Sequence, residues 1–307
     1  MNLMVTGCAG FIGSHFVEEC LDRGDTVSGV DSMTYAGNPK NMRTFDSKID
    51  FYKTDICNTS EIKDIVISKN IDWIVNFAAE SHVDNSIVNA KPFIDSNILG
   101  VVSLLDVCKS TPAKLLHIST DEVYGSKASG SFKESDILDP KNPYSSSKAA
   151  AEHFVTSYHN TYGTTYKMVR MSNNFGPRQH SEKLIPTVVR CIENSRGVPV
   201  YGNGKNIRDW FYVKDCARMV YNVLVNGLDN NIYNLTHCNE MENLDVITKI
   251  CNIMGVDPST AITFVDDRLG HDFRYSISNN KIKKLGISQP TNFDQALRQT
   301  VNSLREK

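Results

Sequence analysis

Residues 6–13 read T-G-C-A-G-F-I-G and stand between a short apolar strand pattern and an amphipathic helical pattern. The glycines at 7, 10 and 13 give the spacing G-x-x-G-x-x-G, a variant of G-x-G-x-x-G. Gly7 permits a tight turn, Gly10 lets backbone N–H groups approach a pyrophosphate, and Gly13 lets the helix pack closely on the strand. The start of a helix also presents free N–H donors and the positive end of its dipole. The stretch therefore predicts a dinucleotide-binding loop.

Apolar runs and helical patterns alternate through the first half of the chain, and the second half has shorter elements. Strands are expected at 3–6, 26–31, 73–77, 115–119 and 167–171. Helices are expected at 12–22, 59–69 behind an Asn58–Glu61 capping box, 93–109, 144–161, 184–193, 215–227, 244–254 and 293–305. This alternation predicts an α/β fold with a doubly wound parallel sheet of the Rossmann type.

The change of rhythm after about residue 174 predicts a smaller C-terminal α/β lobe for the substrate. We expect a dinucleotide-binding domain at 1–174, with a segment near 210–236 returning to it. The substrate lobe would then comprise 175–209 and 237–307.

Composition excludes several classes of protein. The 307 residues are 40% apolar and 22% charged, as in globular proteins, and the net charge of −2 offers no basic field for nucleic acid or an anionic membrane. The N-terminal run is a strand pattern rather than a secretion signal, and no apolar run is long enough to span a bilayer. Eight cysteines without a C-x-x-C pair favour reduced thiols and no metal site, so we expect a cytoplasmic protein.

Asp31 ends the second expected strand, near the distance from the glycine loop at which a ribose-binding acid belongs. A carboxylate there accepts a hydrogen bond from the adenosine 2′-hydroxyl and repels a 2′-phosphate. The position favours NAD over NADP. The alternative is an exposed acid at a strand end.

Tyr144 and Lys148 stand four residues apart, directly after Pro143, which suits the first turn of a helix. Both side chains would share one helical face, where the cation lowers the pKa of the phenol and prepares it to accept an alcohol proton. A second Y-x-x-x-K, from Tyr201 to Lys205, lies in a glycine-rich turn and is attributed to chance.

Asp121 and Glu122 are adjacent acids within I-S-T-D-E-V-Y-G, residues 118–125, at the end of an expected strand. Like charges in a dry site resist ionising together, so one carboxyl would keep its proton. A solvated loop is the simpler explanation of the pair, and a matched acid and base is the functional one.

Taken together, these motifs resemble the extended short-chain dehydrogenases/reductases and, more narrowly, the nucleotide-sugar 4,6-dehydratase family. The resemblance runs nearly end to end. Further stretches that carry it are N-F-A-A-E-S at 76–81, R-M-S-N-N-F-G-P at 170–177, K-L-I-P at 183–186, V-Y-G-N-G at 200–204, R-D-W at 208–210 and G-H-D at 270–272. The most specific element is Thr120-Asp121-Glu122 before V-Y-G, because related epimerases and decarboxylases usually lack the acid pair.

The resemblance implies a site for tightly bound NAD, regenerated at each turnover, and a site for a nucleotide-diphosphate sugar. The implied NAD-binding residues are Gly7, Gly10, Phe11, Ile12, Gly13, Asp31, Ser32, Met33, Thr34, Asp55, Ile56, Phe77, Ala78, Ala79, Ser81, Ser96, Tyr144, Lys148 and Asn174. The implied substrate-binding residues are Ser81, Thr120, Asn173, Lys183, Leu184, Tyr201, Arg208, Asn243, Arg268 and His271. From the residues alone, Asn173 could instead cap a helix, Lys183 could be a solvated charge and Tyr201 could pack the second lobe.

The family also implies a reaction and the roles of its catalytic residues. Tyr144, assisted by Lys148 and Thr120, would take the 4-hydroxyl proton as C4 is oxidised. Glu122 would remove the C5 proton, and neutral Asp121 would protonate the leaving 6-hydroxyl. The expected substrate is dTDP-glucose or UDP-glucose, and the expected assembly is a homodimer through the helices at 93–109 and 144–161.

Three departures from the family pattern and two other functions remain open. Cys8 stands where the family usually has glycine, and Asn85 and Phe273 stand where arginine is common. A 4-epimerase or decarboxylase of the same fold would need Tyr144 and Lys148 but not the acid pair. A non-catalytic NAD sensor would need only the glycine loop.

Overall fold

The computed structural model describes residues 1–267, 272–286 and 289–305. Its strands are β1 Asn2–Thr6, β2 Thr26–Val30, β3 Asp50–Tyr52, β4 Trp73–Asn76, β5 Lys114–Thr120, β6 Tyr166–Met171, β7 Asn173–Phe175, β8 Val198–Tyr201, β9 Ile207–Tyr212, β10 Asn231–Leu235, β11 Glu240–Glu242 and β12 Ile262–Val265. Its α-helices are α1 Phe11–Asp22, α2 Thr59–Ser68, α3 Val83–Val88, α4 Lys91–Phe93, α5 Gly100–Ser110, α6 Pro143–Tyr162, α7 Leu184–Glu193, α8 Val213–Asn226, α9 Asn243–Met254, α10 Pro258–Ala261, α11 Asn280–Lys283 and α12 Phe293–Arg305.

Seven strands form one parallel sheet in the order β10-β6-β5-β4-β1-β2-β3. Its central strands are buried on both faces, as in β5, because helices cover the two sides. One face packs against α1 and α8 through a core that includes Phe16 and Val220. The other packs against α2, α5 and α6 through a core that includes Leu104 and Val155. The doubly wound parallel sheet predicted from the alternating pattern is confirmed.

The second lobe is built from short strands and amphipathic helices. β11, β9 and β7 form one small sheet, and β12 pairs with β8 in another. Its core lies between α7, α9 and α12 and includes Val188, Ile247 and Leu297. Within 210–236, the segment expected to return to the main sheet, α8 packs on α1 and β10 pairs with β6. The division of the chain into two domains stays a prediction.

Two local predictions were wrong. Asn58 precedes α2, but its side chain makes no cap bond to the helix backbone and instead donates to Glu61 Oε2 at 2.8 Å. Two side chains that bond each other leave the capping box unformed. The helix expected at 93–109 is interrupted by a π-helical segment, Ile94–Leu99. Such segments widen the helix by one residue per turn and occur often at functional sites.

Candidate active site

The candidate site lies at the carboxyl edge of the main sheet, where ligands of open α/β folds bind. The glycine loop follows β1, Asp31 follows β2, Phe77–Ser81 follow β4, and the acid pair follows β5. Parallel registers align these strand ends, with Thr6 opposite Asn76 and Thr120 opposite Met171. Residues far apart in the chain therefore meet at one edge.

The glycine loop has the geometry that its spacing predicts. Gly7 adopts φ +69°, and a Cβ there would lie 2.8 Å from the backbone nitrogen of Ala78. A Cβ on Gly13 would lie only 2.2 Å from the carbonyl oxygen of Gly7. Gly10 caps α1 and has no side chain that could bond the free N–H groups of the first turn. The loop fits a dinucleotide pyrophosphate, which needs close backbone approach and free N–H groups.

Asp31 is buried and braces the loop. One carboxylate oxygen accepts a hydrogen bond from the backbone of Ala9 at 3.0 Å, and the other from Met33 at 2.8 Å. Burial raises the pKa of this carboxyl, and the two N–H donors oppose that shift. Ser32, Met33 and Thr34 continue the turn beyond β2. Binding of an adenosine ribose by this turn stays a prediction.

Cys8 turns inward, away from the expected ligand. Its side chain is fully buried, and a Cβ added to Gly29 would lie 2.9 Å from its sulfur. Burial, reinforced by Asp31, raises the pKa of the thiol to about 12. This departure from the family pattern therefore fills space between the loop and β2 as a neutral thiol.

The remaining residues expected to contact NAD lie on several other segments of the chain. Ile56 is buried and packs so closely on α5 that a Cβ on Gly100 would lie 2.4 Å from its terminal carbon. Asp55 accepts from the backbone of Cys57 at 2.8 Å. Phe77, Ala78 and Ala79 lie after β4, Ser96 in the π-helical segment, and Asn174 in β7.

The acid pair occupies a 3₁₀ turn, Asp121–Tyr124, that continues β5. Asp121 is only 2% exposed, and its Oδ1 accepts from Thr120 Oγ1 at 3.3 Å. Burial raises the pKa of Asp121 well above its usual value, and the charges of Glu122 and Asp209 add to the shift. Glu122 is partly exposed. The difference in burial favours a protonated Asp121, the state that the expected acid role requires.

Tyr144 and Lys148 share one face at the start of α6, which Asn142 caps in a capping box with Ser145. Both side chains are buried. Lys148 Nζ donates to the carbonyl oxygen of Ile118 at 2.6 Å, and burial lowers its pKa to about 8.

The predicted lowering of the Tyr144 pKa was wrong. Burial raises it, Glu122 and Asp121 raise it further, and a hydrogen bond with Thr120 is the opposing effect. Desolvation of the buried phenol outweighs any help from the cation one helical turn away, because the charged form loses its hydration.

Expected substrate-binding residues come from both lobes. Lys183 Nζ, just before α7, donates to the carbonyl oxygen of Ser81 at 3.0 Å and joins the two lobes. Arg208 is buried, donates to the carbonyl oxygens of Ile207 and Asp272 at 2.8 and 2.9 Å, and lies over the ring of Tyr275. The positive charge of Arg208 lowers the pKa of Asp121, so the arginine is close enough to interact electrostatically with the acid pair.

The other expected substrate residues lie on the second lobe or beyond the described part of the chain. Asn173 begins β7, and its Oδ1 is buried without a hydrogen-bond partner among the described residues. Leu184 begins α7, Tyr201 ends β8 with 43% of its surface exposed, and Asn243 begins α9. Arg268 and His271 lie outside the described residues.

A buried network that the sequence did not predict lies next to the acid pair, through Ser119 and Tyr124. Arg170 pairs with Glu152 at 2.6 Å, Glu152 accepts from Ser119 Oγ at 2.5 Å, and Arg170 donates to the phenol oxygen of Tyr124 at 2.5 Å. Glu152 is four residues after Lys148 on α6, so helical spacing could have indicated a shared face. Arg170 comes from β6, and spacing alone could not have paired the two.

No group of three or more histidine, cysteine or acidic side chains that could hold a metal occurs within residues 1–267, 272–286 and 289–305. In the same part of the chain, no helix is long and apolar enough to cross a membrane.

Comparison with known proteins agrees with this geometry. The family model described as GDP-mannose 4,6 dehydratase matches residues 4–300. A dTDP-glucose 4,6-dehydratase from Streptomyces venezuelae, crystallised with NAD bound, is 40% identical with a TM-score of 0.96, covering 100% of this chain and 97% of that one.

Two curated relatives extend the similarity. The dTDP-glucose 4,6-dehydratase of Haemophilus influenzae is 39% identical over 98% of this chain and 97% of its own. A low-salt glycan biosynthesis protein of Haloferax volcanii is 42% identical over 98% of both chains. The chain therefore belongs to the GDP-mannose 4,6 dehydratase family, within the nucleotide-sugar dehydratases that its sequence pattern predicted.

Proposed function

We propose that the protein is an NAD-dependent nucleotide-sugar 4,6-dehydratase that converts dTDP-glucose or UDP-glucose into the 4-keto-6-deoxy sugar nucleotide and water. The observation that carries this proposal is the acid pair Asp121-Glu122 beside Tyr144, because simple hydride transfer needs no such pair. NAD, held by the glycine loop and Asp31, supplies reversible hydride transfer when bound.

Tyr144 is assigned as the base for the 4-hydroxyl proton. Thr120 is assigned to hydrogen-bond the same hydroxyl, since its side chain hydrogen-bonds the phenol. That bond opposes the rise in the phenol pKa caused by burial and the two acids, and so it favours proton acceptance by Tyr144. Lys148, fixed by Ile118, carries the positive charge on this face of α6 and is assigned to the cofactor ribose.

Asp121 and Glu122 are assigned to the loss of water. Oxidation at C4 acidifies the C5 proton, and Glu122, the more exposed acid, removes it. Asp121, whose raised pKa keeps its proton in place, gives that proton to the leaving 6-hydroxyl. The two neighbouring carboxyls thereby hold opposite protonation states. The unsaturated sugar that results would take back the hydride at C6 and a proton from Glu122 at C5, which gives the 4-keto-6-deoxy product and leaves the cofactor in its starting oxidation state.

Arg208 and Lys183 are assigned to the substrate diphosphate. Both are cations at the joint between the lobes, and the planar fork of arginine suits paired phosphate oxygens. Asn173, with its unpartnered buried oxygen, is assigned to the sugar. Tyr201, Asn243, Arg268 and His271 are proposed to complete the nucleotide site.

A mass assay of purified protein with dTDP-glucose and with UDP-glucose tests the function. A product lighter by one water, with the nucleotide retained, supports the dehydratase and identifies the base. A product of unchanged mass and inverted C4 would show the 4-epimerase. Absence of turnover with both substrates would favour the sensor.

We also propose a homodimer through the face formed by the π-helical segment and α6, and a cytoplasmic location. Ile94, Leu99 and Phe154 expose 46%, 53% and 40% of their surfaces there. The two elements pack on each other, and exposed apolar side chains that cluster on neighbouring elements mark interaction surfaces. Light scattering should give twice the chain mass, and Leu99→Lys with Phe154→Lys should give the single-chain mass. A monomeric unmodified protein would refute the dimer.

A further inference from the structure

A pocket that is open to solvent lies at the amino ends of β6 and β10, away from the candidate active site. It has a volume of about 510 Å³, and its lining includes Tyr166 and Asn231, the first residues of these two strands. Tyr166 stands five residues before Met171, which ends β6, so about 17 Å of strand separates this pocket from the carboxyl edge. The pocket volume falls within the range of about 300–1,000 Å³ that small-molecule sites occupy.

Positive charge dominates the pocket. Its lining carries Lys133, Lys281 and Lys284, against one carboxylate, Glu134. Glu134 is already engaged, because its Oε1 accepts from the backbone of Asn234 at 3.0 Å. Burial lowers the pKa of Lys281, and the charge of Arg170 lowers it further, against the opposing charge of Glu134. Lysines from two segments of the chain, at residue 133 and at residues 281–284, therefore favour an anion in this pocket.

The neutral lining suits a hydroxylated ligand. Amides and hydroxyls come from Asn230, Asn231, Asn280, Ser135 and Ser278, and such groups suit sugar hydroxyls. The Asn231 amide already bonds Lys281 and the carbonyl of Asp229, and Asn230 Oδ1 accepts from the backbone of Tyr166. Lys281 is held in place, since its Nζ donates to Asn231 Oδ1 at 2.9 Å and lies 4.7 Å from the ring centre of Tyr233. A fixed cation loses less side-chain entropy when it binds a ligand.

We propose that this pocket binds a small phosphorylated sugar, with the phosphate on Lys281 and Lys284 and the sugar hydroxyls on the asparagine and serine side chains. The site goes beyond the dehydratase reaction and does not depend on it. Its ligand class follows from the charge and the polar lining.

Titration calorimetry of the full chain with glucose 1-phosphate, in saturating dTDP to fill the proposed nucleotide site, tests the proposal. Inorganic phosphate and glucose serve as separate probes of the two halves of the ligand. We expect glucose 1-phosphate to bind more tightly than either. Lys281→Gln with Lys284→Gln should weaken binding at least about tenfold, as expected from the loss of two charge-assisted contacts.

The matched control is Lys283→Gln with Lys53→Gln, which removes the same total charge. Lys283 lies on α11 beside Lys284 but does not line the pocket, and Lys53 is exposed elsewhere. Binding should change less than about twofold in this control. Lys133→Gln, on a separate loop, provides a second pocket variant if the first pair unfolds. Absence of binding by the unmodified protein, or equal weakening in pocket and control variants, would overturn the proposal.

Discussion

Tyr144 and Lys148 lie on a long capped helix, whereas Asp121 and Glu122 lie on one 3₁₀ turn at a strand end. Burial acts on both pairs, but with different results. It covers Tyr144 and Lys148 together, and in the acid pair it covers Asp121 more than its neighbour. The helix pair is therefore suited to transfer one proton, at Tyr144, beside a fixed positive charge on Lys148. The acid pair is suited to hold one protonated and one ionised carboxyl group.

This difference suggests that the two halves of the proposed reaction are separable by mutation. Changes in the helix pair should stop oxidation at C4 and everything after it. Changes in the acid pair should spare oxidation and stop the loss of water.

Among these variants, Tyr144→Phe should have the largest effect on the rate of the proposed reaction. It removes the proposed base, and C4 oxidation should fall by about 10³- to 10⁴-fold, because general-base catalysis contributes up to about that much. Stopped-flow absorbance of reduced nicotinamide measures this step. Tyr233→Phe, at another buried phenol, should keep a rate within about twofold. A normal rate of C4 oxidation in Tyr144→Phe would contradict the assignment of Tyr144 as the base.

Lys148→Met should reduce C4 oxidation by about 10²-fold, since it removes a buried cation one helical turn from the base. Lys167→Met is the matched control. Lys167 is another lysine with 4% exposure, and its Nζ donates to a backbone carbonyl, that of Leu224, at 2.7 Å. Both variants lose a buried amine that donates to a backbone carbonyl, and Lys167→Met also loses an ion pair with Asp229 at 3.7 Å. Only Lys148→Met should lose oxidation in single-turnover assays. Equal losses would show that the lysine is structural.

The smallest expected effect is that of Asp121→Asn on how the free energy of unfolding depends on pH. A carboxyl whose pKa is raised on folding contributes stability below its unfolded value, and that contribution is lost as the pH rises through the folded value. The unmodified protein should therefore lose free energy of unfolding relative to Asp121→Asn as the pH rises above the usual aspartate range. Urea unfolding across pH measures the difference. Parallel curves would contradict a protonated Asp121.

Local spacing accounts for what the sequence could predict. The glycine loop, the Tyr144–Lys148 face and the acid pair each occupy a few consecutive residues, and the alternating pattern placed all three at one sheet edge. Contacts between distant segments were out of reach. Asp209 acts on Asp121 from β9, and Lys148 donates to Ile118 in β5. The charge of Asp209 strengthens the proton affinity of Asp121. Burial of the phenol, with the charges of Glu122 and Asp121, reversed the expected direction of the Tyr144 pKa.

The short elements of the second lobe were the harder part of the fold. β7, β8, β9, β11 and β12 have three to six residues each, too few for a clear period. The π-helical segment was equally hard to predict from the sequence. Its hydrogen bonds shift by one residue, but Ile94–Leu99 contains no proline or glycine that would mark the change.

Separation of the two pairs is tested most directly by a single turnover of Asp121→Asn with Glu122→Gln on dTDP-glucose, or on UDP-glucose if the mass assay selects it. The absorbance of reduced nicotinamide should rise and persist, no water should be lost, and solvent deuterium should not enter C5. Thermal unfolding and NAD binding like those of the unmodified protein serve as the folding control. Dehydration at a near-normal rate, or a folded variant that no longer oxidises C4, would contradict the division of labour between the two pairs.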